Sequence, residues 1–209
     1  MSLSDYINGF VALFAISNPI GNLPIYIGLT ANKTKKQRQQ TIRTASIAFA
    51  IILIVSCFMG EAILSAFGIS IASFRVAGGF LIFIVGFHML QAKTSEVKHT
   101  SEENEEAQAA NSIAIVPLAL PLLAGSGTIS SVIVLAHKTQ SLTDKLGLSV
   151  VIILLGSLIC ISYSFAPVIG KMLGKTGMNI VTRLMGLVTM AMAVEFMANG
   201  LGTLFPGWK

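Results

Sequence analysis

Charge is what this sequence most lacks. Its 209 residues include 14 Lys or Arg and 9 Asp or Glu, 11% in all, where a soluble domain usually carries about 25%. Apolar residues make up 54%, and the mean hydropathy is +0.79. That balance excludes an ordinary soluble domain and points to an all-α integral membrane protein. Cysteine is equally sparse. Cys57 and Cys160 both fall within apolar runs, which reads as small buried hydrophobes rather than a disulfide framework. Of the three histidines, His99 and His137 fall in expected loops with no ligand partners nearby, so no metal site is expected, and no cofactor. The net charge of +5 lies mostly in loops without interleaved aromatics, which argues against nucleic acid as a partner. Residues 1–8 contain Asp5 and no Lys or Arg. They lack the basic start of a secretory signal, so the first apolar run is expected to stay as a span.

Six apolar runs are present, at about 8–29, 43–67, 70–91, 113–136, 147–168 and 180–201, each near the length a bilayer demands. Between the first two lie Lys33, Lys35, Lys36, Arg38 and Arg43 with no acid. By the positive-inside rule this basic stretch is cytoplasmic. Alternation then places ten Lys or Arg inside and four outside, with both termini outside. Residues 92–112 carry Glu96, Glu102, Glu103, Glu105 and Glu106 without an apolar period, which reads as a solvated cytoplasmic linker. The expected organisation is a first three-helix unit over 1–91, this linker, and a second unit over 113–209, together one membrane domain.

Two of the runs are interrupted near their middles. The first contains Asn18-Pro19-Ile20-Gly21-Asn22-Leu23-Pro24. Pro19 removes an amide donor, Gly21 loosens the backbone, and Asn18 is costly in hydrocarbon unless partnered. A packing kink with a satisfied Asn would carry the same residues. The fourth run, however, holds Pro117, Pro121 and Gly125-Ser126-Gly127-Thr128. Interruptions at matching places in two halves are the pattern of a transporter's binding site.

An internal repeat supports the halves. Ser73-Phe74-Arg75 with Gly78 in the third run matches Thr182-Arg183 with Gly186 in the sixth, an offset of 108 residues. Pro19 and Ser126 are 107 apart. Three spans per half turn the second half upside down, which is the inverted-repeat plan. Chance likeness between Gly-rich apolar segments is the alternative. Among intramembrane charges, Arg75 and Glu195 fall at the outer ends of the third and sixth runs. They are expected to pair, since either charge alone in lipid costs several kcal/mol. Glu195 is also the better candidate for a coupling proton, ahead of His88, which reads as a structural histidine. Gly78, Gly79, Gly86, Gly170 and Gly174 read as points of close helix contact.

With Asn18-Pro19-Ile20-Gly21, Pro24, Pro117-Leu118-Ala119-Leu120-Pro121 through Gly125, Phe74-Arg75-Val76-Ala77-Gly78-Gly79, and Asn179 with Arg183 in hand, the chain resembles the MarC family of bacterial and archaeal inner-membrane proteins over nearly its whole length. It departs from the family's usual Gly-Pro-Gly, reading Gly125-Ser126-Gly127; two glycines still leave that helix easily unwound. The resemblance implies six spans with both termini outside. It also implies transport of small neutral amino acids such as glycine and alanine, attributed to some members, with protons as one possible drive.

The expectation is therefore six membrane helices as two inverted three-helix repeats, helices 1 and 4 broken near the midplane. The substrate would sit at Asn18, Pro19, Gly21, Gly125, Ser126, Gly127 and Thr128, where helix-start amides could take a carboxylate. Replacing Asn18 by Ala should then reduce transport and leave the fold intact. Expected partners are a small-molecule substrate and membrane lipids, with a homo-oligomer left open. No enzyme is expected, because Glu61 and Glu195, the acids within the runs, are far apart in sequence. An exporter of another solute or drug, and a scaffold or regulator acting through the acidic linker, are the alternatives.

Overall fold

A computed structural model describes residues 1–30, 33–91, 123–139 and 141–208. All regular structure among these residues is helical: α1 Leu3–Ser17, α2 Leu23–Leu29, α3 Lys35–Ala66, α4 Ile71–Leu90, α5 Ser126–His137, α6 Leu142–Ser164 and α7 Ala166–Leu204, then a 3-10 turn at Pro206–Trp208. The expected linker and unit boundary at 92–112, and Pro117 and Pro121, lie outside the described residues.

Four stretches are long and apolar enough to cross a membrane: Lys35–Ala66, Ile71–Leu90, Leu142–Ser164 and Thr176–Leu204. The outer faces of these helices remain apolar. Ile47, Ile51, Val55 and Ile63 line one exposed stripe of α3, at 48–59% exposure. In water that surface would be a large liability; against lipid it is the solvated face. The protein is a multi-pass membrane protein. By contrast, α1 has 15 residues and α5 has 12, about 22 and 18 Å at 1.5 Å per residue. Neither spans a core of about 30 Å alone.

Local chemistry sets the ends. Ser2 accepts from the Asp5 amide while Asp5 accepts from the Ser2 amide, a capping box that starts α1. Thr34 and Gln37 form the same box at the start of α3. As a result α3 begins at Lys35 rather than near residue 43, and Lys35, Lys36, Arg38 and Arg43 lie on its first turns instead of in a loop. α7 begins as early as Ala166, before the expected 180, and is interrupted at Gly174 (φ 59, ψ −176). That left-handed φ suits glycine. Among the described residues no atom lies near the position a Cβ would take there, so Gly174 is a bend and not the helix contact expected of it.

The closest packing joins α4 and α7 antiparallel. Ala72, Gly79 and Gly86 recur every seventh residue on α4, and Gly200, Ala193 and Gly186 oppose them on α7. A Cβ at Gly86 would lie 2.9 Å from the Gly186 carbonyl, and one at Gly186 would lie 2.8 Å from the Gly86 carbonyl. At Gly79 it would lie 3.1 Å from the Ala193 carbonyl, and at Gly200 3.0 Å from that of Ala72. The two backbones touch along the whole seam, as small residues permit in membranes. A second core lies between α1, α3, α5 and α6. It holds Leu13, Phe49, Leu53, Leu148, Ile152 and Leu155, all fully buried, with the Tyr26 and Tyr163 rings tilted against each other, their centroids 4.8 Å apart.

Contacts between helix ends sort the bundle into two poles. Tyr6 of α1 donates to Asp144 of α6, Glu61 of α3 pairs with His137 of α5 at 2.9 Å, and Gly200 of α7 meets Ala72 of α4. At the other pole Gln39 of α3 reaches Ser164 of α6, beside the basic start of α3.

A Gly86→Ala substitution forces a Cβ against a backbone carbonyl and should destabilise the protein by roughly 1–3 kcal/mol, the usual cost of overpacking. Gly156→Ala meets ordinary contacts only, the nearest at 3.4 Å, and should melt like wild type. Thermal melting of both in detergent checks the contrast.

Candidate functional site

The first interruption is built by two asparagines. α1 ends at Ser17, and Asn18 takes a left-handed conformation (φ 45, ψ 55), which Asn tolerates better than most residues. Pro19 cannot continue the helix. The freed backbone groups are then met one by one. The Asn18 carboxamide oxygen accepts from the Gly21 amide at 3.1 Å. Asn22 donates its side-chain NH2 to the Ser17 carbonyl at 3.1 Å, and its own amide bonds the Asn18 carbonyl. In hydrocarbon every one of these groups needs such a partner.

Asn18 also ties the break to two other helices. Its NH2 donates to Met89 Sδ of α4 at 3.2 Å and to Thr189 Oγ1 of α7 at 3.4 Å. Asn18 is 3% exposed and Thr189 2%. The carboxamide is thus fully engaged within the protein, so loss of Asn18 bears on the fold first.

At the second interruption the structure describes the chain from Leu123. Ala124 and Gly125 precede α5, and Gly125 is its N-cap with no side-chain bond to the helix (φ −64, ψ 168). The amides of Ser126, Gly127 and Thr128 therefore precede the first helical hydrogen bond, made by Ile129 to Gly125, and are the groups a helix start leaves open. Thr128 Oγ1 donates to the Leu123 carbonyl at 3.0 Å, and Ser131 Oγ to that of Gly127 at 2.9 Å.

The two interruptions share one support. A Cβ at Gly21 would strike Met89, and one at Gly127 would strike Ile82. Ile82 and Met89 are seven residues apart on one stripe of α4, about 10 Å along the axis. Continuing that stripe by another seven residues reaches Arg75.

Arg75 and Glu195 line one cavity of about 310 Å³ bounded by α1, α4, α5 and α7. Its inner wall contains Ile16, Ser131 and Met192, each within about a turn of Asn18, Thr128 and Thr189 respectively. Lys138 and Asn199 lie toward the pole holding the start of α1. The expected ion pair is not formed. The guanidinium of Arg75 instead sits over the Phe196 ring, 5.7 Å from its centroid, a cation–π contact. Its Nε is buried with no acceptor among the described residues. Glu195 accepts from Asn199 one turn on, at 2.9 Å.

Of the expected site residues, Asn18 and Gly21 meet α4 at Met89 and Gly127 meets it at Ile82, Thr128 turns back to the Leu123 carbonyl, and Arg75 and Glu195 line the adjoining cavity. Asn22, Thr189, Ser131 and Phe196 belong to the same region and carry no motif of their own; Asn22 alone lay within the stretch that marked the first break. No three His, Cys, Asp or Glu side chains come together to hold a metal among the described residues.

The profile described as MarC family integral membrane protein matches residues 3–205. The chain belongs to the MarC family. Relatives span it almost end to end. The UPF0056 membrane protein YhcE of Escherichia coli (strain K12) is 42% identical, covering 97% of this chain and 94% of its own length. The UPF0056 membrane protein YvbG of Bacillus subtilis (strain 168) is 36% identical, covering 99% and 98%. No solved structure matches this MarC chain.

Asn18→Ala leaves the Gly21 amide without its acceptor and puts alanine at positive φ. It should cost roughly 1–3 kcal/mol, and Asn18→Gly less, because glycine relieves the backbone. Melting temperatures in that order, below wild type, are the expected result of a detergent unfolding series.

Proposed function

We propose that this MarC-family protein is a secondary transporter of small neutral amino acids of the glycine and alanine type. The observation that carries the reading is the placement of two helix interruptions against one stripe of α4, next to a cavity lined by Arg75, Lys138 and Glu195. Helix-start amides at Ser126, Gly127 and Thr128 suit a carboxylate, and Glu195 suits an ammonium or a coupling proton. Glycines at 21 and 127 let α4 pack directly on the breaks, with Met89 and Ile82 in the space a side chain would take, and the adjoining cavity of about 310 Å³ suits a small solute.

An inverted repeat supports the same reading. α4 and α7, the helices related by the 108-residue offset, pack antiparallel, as a two-fold axis in the membrane plane would require. α1 packs on α6 while α5 packs on α3, and α2 packs on α7 while α5 packs on α4, so each half's interrupted segment leans on the other half's long helices. In this reading helices 1 and 4 are the broken pair of a six-helix plan. The cavity's pole lies opposite the basic start of α3, so by the positive-inside rule it faces outward. Both termini are then outside and the host is the bacterial inner membrane. The protein is read as a carrier rather than an enzyme.

Labelled glycine and alanine should enter proteoliposomes containing the wild type, faster with an imposed proton gradient. Glu195→Gln should lower gradient-driven uptake about tenfold or more, the equivalent of one charged hydrogen bond, without changing the melting temperature. Folded wild-type protein that moves neither amino acid would overturn the substrate. Equal uptake with and without the gradient would overturn proton coupling.

A further inference from the structure

The outer cavity holds two opposite charges that share one space without pairing. Arg75 enters it from α4 and Glu195 from α7. Arg75 is half-buried, and its guanidinium rests over the Phe196 ring. A cation–π contact takes no acceptor atom, and Arg75 Nε has none among the described residues. The Glu195 carboxylate accepts one hydrogen bond, from Asn199 on its own helix, where a carboxylate has about four acceptor sites. Close backbone packing fixes the base of Arg75 on both sides. Ser130 of α5 donates to the Phe74 carbonyl at 3.3 Å, and a Cβ at Gly200 of α7 would lie 3.0 Å from the Ala72 carbonyl.

Other charges have other places. Among the described acids, Asp5 is bonded to Ser2, Glu61 to His137 and Asp144 to the Met1 ammonium. Residues 113–122 contain no acid. The remaining five, Glu96, Glu102, Glu103, Glu105 and Glu106, follow the far end of α4, where Leu90 stands about 22 Å along the axis from Arg75. Lys138 is exposed at the mouth of the cavity, and it also lines a neighbouring cavity with Asp5. Its charge is shared between the two.

From this arrangement we infer that the cavity is an outer subsite for a dipolar ion, with Arg75 holding its carboxylate and Glu195 its ammonium. A guanidinium presents a fork of N–H donors that matches the two oxygens of a carboxylate. A carboxylate takes an ammonium through the same charge-assisted bonds. A ligand with both charges satisfies both side chains at once, whereas a simple acid or amine satisfies one and leaves the other unmatched. The volume of about 310 Å³ is at the low end of ligand sites, roughly 300–1,000 Å³, which keeps the solute small. Along its stripe of α4, Arg75 lies one heptad, about 10 Å, outward of the contact between Ile82 and Gly127. It therefore meets the carboxylate before the helix-start amides do. The subsite rests on the carrier reading above and adds to it the recognition of both charges of the amino acid.

The test is ligand binding by the full-length detergent-purified protein, measured by calorimetric titration and thermal melting. The probes are alanine, propionate and ethylamine, which carry both charges, the carboxylate alone and the ammonium alone. Wild type should bind alanine at least tenfold more tightly than either of the others. Arg75→Gln should weaken alanine about tenfold, as for the loss of a charged hydrogen bond, and leave ethylamine unchanged. Glu195→Gln should weaken alanine to a similar extent and leave propionate unchanged. The wild-type series needs no substitution, so it decides the matter even where Arg75→Gln lowers the melting temperature. Equal binding of alanine and ethylamine by wild type, or none of either, would overturn the subsite. Unchanged alanine binding by Arg75→Gln, or the loss falling on Lys138→Gln instead, would also overturn it. Uptake into proteoliposomes keeps the two readings apart. Alanine bound in the expected pattern but not moved would overturn the carrier and support the subsite. Alanine moved equally by wild type and Arg75→Gln would overturn the subsite and leave the carrier standing.

Discussion

Hydrocarbon offers no water to complete a hydrogen bond, so an interrupted membrane helix must carry its own substitutes. Here the substitutes are the side chains of Asn18 and Asn22. One supplies an acceptor for the Gly21 amide, and the other a donor for the Ser17 carbonyl. The same Asn18 reaches Met89 and Thr189, which fixes the break against α4 and α7. Without that satisfaction, the left-handed turn would leave backbone groups bare at a cost of several kcal/mol each. This anchoring sets the first interruption against α4 and α7, close to the Ile16 and Met192 wall of the cavity.

Against the anchored break stands a pair of helices with almost nothing between them. The seam of Ala72, Gly79 and Gly86 with Gly200, Ala193 and Gly186 brings backbone to backbone. The stripe beside it, Arg75, Ile82 and Met89, is left to face the interruptions and the cavity. A division of labour along one helix results: one stripe binds the partner helix, and the next, three residues on, forms the wall of the candidate site.

How far this was legible in the sequence depends on whether the signal was local. Pro19 beside Asn18 announced the first break, because proline chemistry acts within one turn. The runs at 70–91 and 147–168 closely anticipated α4 and α6, since apolar length is a direct demand of the bilayer. The early start of α3 turned on Thr34 and Gln37, a capping box that charge counting overlooks. Gly174 was indistinguishable from a contact glycine, because sequence does not report the sign of φ. Thr189 as a partner of Asn18 lies 171 residues away and could only come from packing. The Arg75–Glu195 pairing was a reasonable demand of charge balance, but Asn199 and Phe196 answered it locally.

The small-residue seam carries one further consequence. Helices separated by long side chains can slide or roll as rotamers change, whereas backbones in direct contact have no such slack. α4 and α7 therefore behave as one stiff double strut rather than two rods. A rearrangement that opened or closed the cavity would come from its other two walls, α1 and α5, shifting over that strut, and the carbonyl–glycine contacts would be its least compliant part.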